Sequence, residues 1–200
     1  MSRSPKAEPP LDAPQVLAAY RIGAFPMADP ETGEIAWYAP DPRAVIELER
    51  FHVPRSLRAV VHRGQFGVRW NTAFEAVMRG CASRPETWIS PSIIRAYESL
   101  HLAGRGHCVE CWRDDRLVGG LYGVALGGAF FGESMFSLDR DASTVALVTL
   151  VSRMRERGFQ LLDIQFLTPH LERFGATAIP RTEYLRRLRH ALSATCSLDP

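Results

Sequence analysis

Two short segments of this chain carry residues able to do chemistry together. In GESMF, Glu133 and Met135 stand two residues apart, and in LLDIQF so do Asp163 and Gln165. Side chains two apart on a β-strand point to one face. If both segments are strands, each presents a carboxylate, with a methionine and a primary amide alongside. Such a set can hold an ammonium group, relay a proton or hydrogen-bond a developing oxyanion. The plainer reading is a solvated strand face, or buried acids paired with arginines, because structural ion pairs gather the same groups. FQLLDIQF is otherwise apolar, as a central strand is, and a buried Asp163 then needs partners.

Other candidates are weaker. Cys108 and Cys111 form a C-x-x-C, but no second ligand pair follows at similar spacing, so no metal site is expected. HCVECW also reads as a strand, and residues three apart on a strand face opposite ways. Positive charge is local rather than global: 24 basic residues against 22 acidic ones leave a formal net charge of +2. That excludes a histone-like coat but not a patch for nucleic acid. Residues 50–70 hold Arg50, Arg55, Arg58, Arg63 and Arg69 and no acid, and YLRRLRH adds Arg186, Arg187 and Arg189. A charge run is ordinarily a solvated face; the absence of acids in the first run favours a phosphate-binding surface there.

The elements that must position these residues fit in 200 residues, enough for one core without metal or disulfide staples. With 46% apolar and 23% charged residues the chain is a globular protein. No apolar run approaches the roughly 18 residues of a membrane span, and MSRSPKAEPP lacks the apolar stretch of a signal peptide. The expected location is the cytoplasm. Residues 1–13 read as a loose tail, and PQVLAAYRIG as a short helix stopped by Gly23. FPMADPETGEIAWYAPDPR, dense in Pro, Gly and aromatics, reads as a packed loop. These make a small N-terminal subdomain over 1–42, ahead of a catalytic domain over 43–200.

From Arg43 the pattern is regular. AVIEL and FGVRW read as strands around a helix near Pro54, and NTAFEAVMRGCA as a helix capped by Asn71, with apolar residues at 74, 77, 78 and 81. SPSIIRAYESLHLAG is a helix capped by Ser90. GHCVECW, RLVGGLYGVAL and AFFGESMF, joined by DD and GG turns, form a three-stranded meander. The helix DASTVALVTLVSRMRERG follows, with Asp141 or Ser143 as cap. Then come the strand FQLLDIQF and the helices TPHLERFG and TEYLRRLRHAL. This order is α/β with a mixed sheet, and it resembles the core of the N-acetyltransferase superfamily. Acetyl-coenzyme A needs a glycine-rich turn before the helix that follows the meander, where amides hold pyrophosphate. Here that turn is SLDRDAST, without glycine and with Asp139 and Asp141 at the phosphate positions. The fold signal stands and the coenzyme signal fails, so function rests on the site.

Most of the chain, from about Tyr20 to Leu188, resembles the leucyl/phenylalanyl-tRNA–protein transferases. The segments that carry the resemblance include AYRIGAFPM, WYAPDPRAV, GCASRPETWI, VECW, LVGGLYGVALG, FFGESMFS, LLDIQF, HLERFGA and IPRTEYL, in order and near the family spacing. The resemblance implies transfer of Leu or Phe (less well Met) from aminoacyl-tRNA to the N-terminal Arg or Lys of a protein, marking it for degradation as an N-degron. It implies no cofactor and no metal. Its pattern places Asp163 and Gln165 near the reacting centre, Asp163 orienting groups or relaying protons, and lets Glu133 grip the α-ammonium of the carried amino acid. Leu121, Met135 and Leu147 match a pocket for the aminoacyl side chain; each alone reads equally as core. Trp88, Tyr20 and Tyr97 match aromatics near the terminal adenine, and Arg50, Arg55, Arg58 and Arg63 would meet tRNA phosphates. Two positions depart from the pattern: Met27 stands where many members have Trp, and Thr144 where many have Lys. The alternatives are a diverged acyl- or aminoacyltransferase of the same fold with another donor or acceptor, and a tRNA-binding module without catalysis.

Overall fold

The computed structural model describes residues 11–198. Of the loose tail expected over residues 1–13, residues 1–10 lie outside the described residues. From Leu11 the chain is already structured. Helix α1 (Ala13–Arg21) is capped by Asp12, whose side chain accepts from Gln15 N while the Gln15 side chain accepts from Asp12 N. Gly23 ends it at φ 77°, and a Cβ there would lie 2.7 Å from the Tyr184 ring. That position therefore needs glycine both for its backbone and for its neighbour.

The segment expected to be a loop is instead a β-hairpin, β1 (Phe25–Ala28) with β2 (Ile35–Tyr38), in register Phe25↔Tyr38. Its turn is closed by Asp29 Oδ1, which accepts from the backbone of Glu31 and Thr32. Proline at position 26 and the short strands hid the alternation.

The main sheet has seven strands in the order β4-β5-β6-β7-β8-β3-β9. They are β3 (Arg43–Ile46), β4 (Gly67–Trp70), β5 (Gly106–Arg113), β6 (Arg116–Leu126), β7 (Ala129–Ser137), β8 (Leu161–Gln165) and β9 (Ala176–Ile179). Among the described residues only β7 and β8 pair in parallel; α5 (Ala142–Glu156) crosses between them, as a parallel connection requires. The sheet is thus mixed, as expected. The four-residue edge strand β9 escaped the sequence reading, which carried the chain from one helix directly to the next.

Helices cover both faces. On one lie α1, α3 (Phe74–Ala82), α4 (Pro91–Leu102) and α7 (Arg181–Leu192); on the other lie α2 (Arg55–His62) and α5. The short α6 (Pro169–Glu172) follows β8. Helix α3 buries the four apolar positions that the spacing marked, and Ser90 caps α4. Two other caps differ from expectation. Asn71 does not cap α3: it sits at φ 58° and pairs with Cys108 of β5. The buried carboxylate of Glu110 takes Thr72 N and Ala73 N instead, a long-range cap that no local pattern reveals. At α5, Asp141 makes no side-chain cap; Ser137 Oγ, at the end of β7, accepts from Ser143 N at 2.8 Å. The DD turn between β5 and β6 holds Asp114 and Asp115 at φ 48° and 58°, the geometry a tight hairpin needs.

Candidate functional site

The site forms where the sheet opens. The ladder between β7 and β8 spans Ala129–Phe131 against Leu161–Asp163 and stops there. Beyond it, β7 continues to Ser137 and β8 to Gln165. The opening is a hollow of about 490 Å³ whose walls include Met27, Trp88, Glu133, Met135 and Gln165. A smaller chamber of about 100 Å³ leads on from Glu133, Met135 and Gln165 to Leu121, Leu147 and Leu150. The three residues expected to form an apolar pocket, Leu121, Met135 and Leu147, are thereby brought together.

Glu133 reaches the hollow by a break in strand alternation. Tyr122 faces Ser134, but the next residue, Gly123, faces Gly132, so Glu133 is an extra residue in β7. Such a bulge re-aims a side chain. Glu133 and Met135 consequently do not share a face, contrary to the period-two expectation. Met135 packs with Leu121 and Leu147. The Glu133 carboxylate turns to Tyr20 and Tyr97 of the opposite core. Its Oε1 accepts from Tyr20 Oη at 2.5 Å and from Gln165 Nε2 at 2.8 Å, and its Oε2 accepts from Tyr97 Oη at 3.2 Å. Burial raises its pKa to about 7, with the hydroxyl bonds acting the other way.

Tyr20 and Tyr97 are fully buried, their hydroxyls 2.6 Å apart. They do not form a stacking platform for adenine, because no ring face is left to a base. Their hydroxyls hold the Glu133 carboxylate instead. Trp88 does line the hollow, and its carbonyl accepts from Ala28 N, which ties the α3–α4 connection to the hairpin.

Asp163 lies behind the hollow rather than in it. It has no exposed surface and forms a bidentate pair with Arg43, equally buried: Nε to Oδ1 at 2.9 Å and Nη2 to Oδ2 at 2.8 Å. Tyr184 Oη donates to Oδ2 at 2.7 Å and Gln165 N to Oδ1 at 2.9 Å. Four donors occupy the carboxylate's four acceptor positions, which leaves none for a reacting group. The last of these bonds has a consequence for Gln165. That residue sits at φ 57°, a conformation costing about 1–3 kcal/mol for a residue with a side chain. Asp163 holds it there and so aims its amide at Glu133.

Arg43 and Tyr184 escaped the sequence reading. Arg43 Nη1 also donates to Gly23 O at 3.1 Å, and its guanidinium lies 4.8 Å from the ring centres of both Phe25 and Tyr184. A signal existed: an arginine heads a strand, RAVI, that is otherwise apolar, and Asp163 in another apolar strand lacked a counter-charge. Topology places these strands side by side.

The cationic candidates divide. Arg55, Arg58 and Arg63, on and just after α2, are exposed and have no ion pair among the described residues. Arg50 pairs with Glu47 at 3.2 Å, Arg69 with Asp115, and Arg186 and Arg187 share Glu183. Thr144 is buried and donates to Asp141 O, so this departure leaves a helix-end hydrogen bond in place of a cation. Cys108 and Cys111 fall in opposite cores, as the strand reading expected.

The model for the leucyl/phenylalanyl-tRNA protein transferase matches residues 45–189, and the model for that family's N-terminal domain matches residues 10–41. A leucyl/phenylalanyl-tRNA–protein transferase of Paramagnetospirillum magneticum is 53% identical over 195 residues, covering 95% of this chain and 93% of that protein. One of Rubrobacter xylanophilus is 57% identical, covering 90% and 94%. Among solved structures, the chain is similar to the C-terminal domain of a putative lysylphosphatidylglycerol synthetase from Agrobacterium fabrum. There the TM-score is 0.45 and the identity 12%, covering 89% of this chain and 62% of that one.

Proposed function

The chain belongs to the leucyl/phenylalanyl-tRNA–protein transferase family, and on that premise we propose how its hollow performs aminoacyl transfer. The donor is Leu or Phe, and less well Met, esterified to tRNA; the acceptor is a protein beginning with Arg or Lys, which the added residue marks for degradation in the cytoplasm. Among the described residues no helix is long and apolar enough to cross a membrane.

The aminoacyl side chain enters the chamber of Leu121, Met135 and Leu147, whose deformable linings admit two different shapes. The terminal adenine lies in the larger hollow against Trp88, with Met27 adding apolar contact. Glu133 takes the donor's α-ammonium. The acceptor's α-amine, with a reference pKa of about 7.7–8.0, is partly neutral near pH 7. It attacks the ester carbonyl: a C–N bond forms, the C–O bond to the ribose breaks, and the amine's proton ends on the ribose oxygen. Gln165 hydrogen-bonds the reacting groups. Asp163 orients Gln165 rather than taking a proton, because its acceptor positions are filled. Arg55, Arg58 and Arg63 meet tRNA phosphates, with Arg50 at the margin. We further read the meander, crossover helix and parallel strand as an N-acetyltransferase-like core over 43–200, preceded by a small subdomain over 1–42.

The observation that carries this reading is that Glu133, Gln165 and Met135 line one hollow continuing into an apolar chamber. The test offers leucyl-, phenylalanyl- and methionyl-tRNA with peptides beginning Arg, Lys or Ala, and acetyl-coenzyme A in parallel. Transfer confined to basic N-termini is the expected result. Acetyl transfer would replace this reading with a coenzyme-dependent one, and tRNA binding without product would leave a binding module.

A further inference from the structure

The turn that aims Gln165 inward throws its neighbour outward. Phe166 N donates to Ile164 O at 2.7 Å, a tight reversal just after β8, and the Phe166 ring is left 46% exposed at the lip of the hollow. At the end of β2, behind the residues that line the hollow, Tyr38 is 42% exposed. Between them lies the buried ring of Phe25. Its centroid is 6.2 Å from Tyr38 at an interplanar angle of 26°, and 5.9 Å from Phe166 at 82°. Tyr38 is therefore held flat by a ring on its inner side, while part of its surface faces solvent. Phe166 is braced edge-on. Neither position is explained by the core, and both side chains lose conformational freedom to keep an apolar face in water.

We propose that Tyr38, with Phe166 on the other side of Phe25, is a stacking platform for the nucleobase that precedes the terminal adenosine on the donor's single-stranded end. This rests on the reading that aminoacyl-tRNA is the donor and that its last nucleoside occupies the hollow. A strand that leaves the hollow on this side passes Phe166 and Phe25, which line it, and reaches Tyr38, stacked behind Phe25. Stacking on an aromatic face accepts any base without hydrogen-bond readout. The platform is continuous with the hollow through Phe25, which lines it. It also compensates for a wall in which position 27 offers a thioether rather than an aromatic ring.

The test compares two donors in the wild-type chain and in Tyr38→Ala, Tyr38→Phe and Phe166→Ala. One donor is phenylalanyl-tRNA; the other is phenylalanine esterified to adenosine alone, which lacks the preceding nucleotide. The Tyr38→Ala variant raises KM for phenylalanyl-tRNA by about 10- to 100-fold, the loss expected for one base–aromatic stack. It leaves KM for the adenosine ester where it was, and Tyr38→Phe restores the tRNA value. Phe166→Ala has a smaller effect in the same direction. Equal losses with both donors would overturn the proposal, since the rings would then serve the terminal nucleoside or merely the shape of the hollow. So would a change confined to the peptide's KM, which would make the lip an acceptor site. Unchanged kinetics in an active wild-type background would remove the platform alone. A wild-type chain inactive with both donors would remove the underlying reading as well.

Discussion

Asp163 and Glu133 are both buried carboxylates, each reaching Gln165, yet they stand in opposite electrostatic situations. Asp163 is bound by Arg43 through two hydrogen bonds and has no surface. Among the described residues Glu133 receives only neutral donors, two tyrosine hydroxyls and an amide, and its strand opens on the hollow. One charge is compensated within the protein; the other is left for what enters. On the proposed mechanism the first is a structural group acting through the backbone of Gln165, and the second a recognition group. Burial is the main reason the Glu133 pKa lies near 7; the Asp163 charge adds to it, and the tyrosine hydroxyls and the more distant Arg43 only partly oppose it.

The largest expected effect comes from breaking the compensated pair. Asp163→Ala leaves Arg43 buried and unpaired, which costs about 3–5 kcal/mol of stability, and transfer is lost with the geometry of Gln165. Denaturant unfolding and a transfer assay measure the two losses. The informative variant is the double substitution Arg43→Met with Asp163→Leu, in which no charge is stranded. It is expected to recover part of that stability, since apolar replacements of buried pairs are often neutral or better while Tyr184 Oη and Gln165 N still lose their acceptor, and to remain poor at transfer. Wild-type turnover by that variant would erase the distinction between the two carboxylates.

Next come the groups that face the hollow. Gln165→Ala removes one donor to the reacting centre, and kcat is expected to fall about 10²- to 10³-fold with donor KM less affected. Glu133→Gln keeps the shape and removes the charge. Donor KM is then expected to rise about 10- to 100-fold, the worth of a hydrogen bond to a charged group. Its pH dependence sharpens the comparison. Glu133 has a folded pKa of about 7 against an ordinary 4.5, so between these values the folded chain keeps a proton that the unfolded chain has lost. Stability should fall as pH rises through that window and level off above it, while donor affinity climbs as the carboxylate ionises. Both trends vanish in Glu133→Gln. A donor KM that is flat from pH 6 to 8 in the wild type would contradict the ammonium-binding role.

What the sequence made legible follows from how local the cause is. The α3 stripe at 74, 77, 78 and 81, the Ser90 cap and the DD turn depend on neighbours in the chain, and all are found as read. The Asn71 cap failed because Glu110, distant in sequence, supplies a stronger acceptor. The shared face of Glu133 and Met135 failed because one inserted residue at a bulge reverses alternation, and nothing in GESMF announces it. Tyr20 and Tyr97 were expected to offer ring faces, yet both are buried with their hydroxyls on Glu133, since residue type does not say whether a ring face or a hydroxyl will be used. Arg43 was missed because a buried pair is legible only once two strands are known to be adjacent.

The same contrast between compensated and free charge recurs among the arginines, with the smallest expected effect. On α7, Arg186 and Arg187 hold the Glu183 carboxylate down to about 2, so both are engaged. Around α2, Arg55, Arg58 and Arg63 have no such partner among the described residues. A phosphate contact releases a counterion, so tRNA affinity falls with salt at a slope set by the number of contacts. Each single Ala substitution at 55, 58 or 63 is expected to reduce that slope by about 1, and Arg186→Ala to leave it unchanged. Titrations of tRNA binding at several salt concentrations measure it. If Arg186→Ala lowers the slope as much as Arg58→Ala does, an existing carboxylate partner does not withhold an arginine from tRNA, and the rule drawn from Asp163 and Glu133 does not extend to the surface.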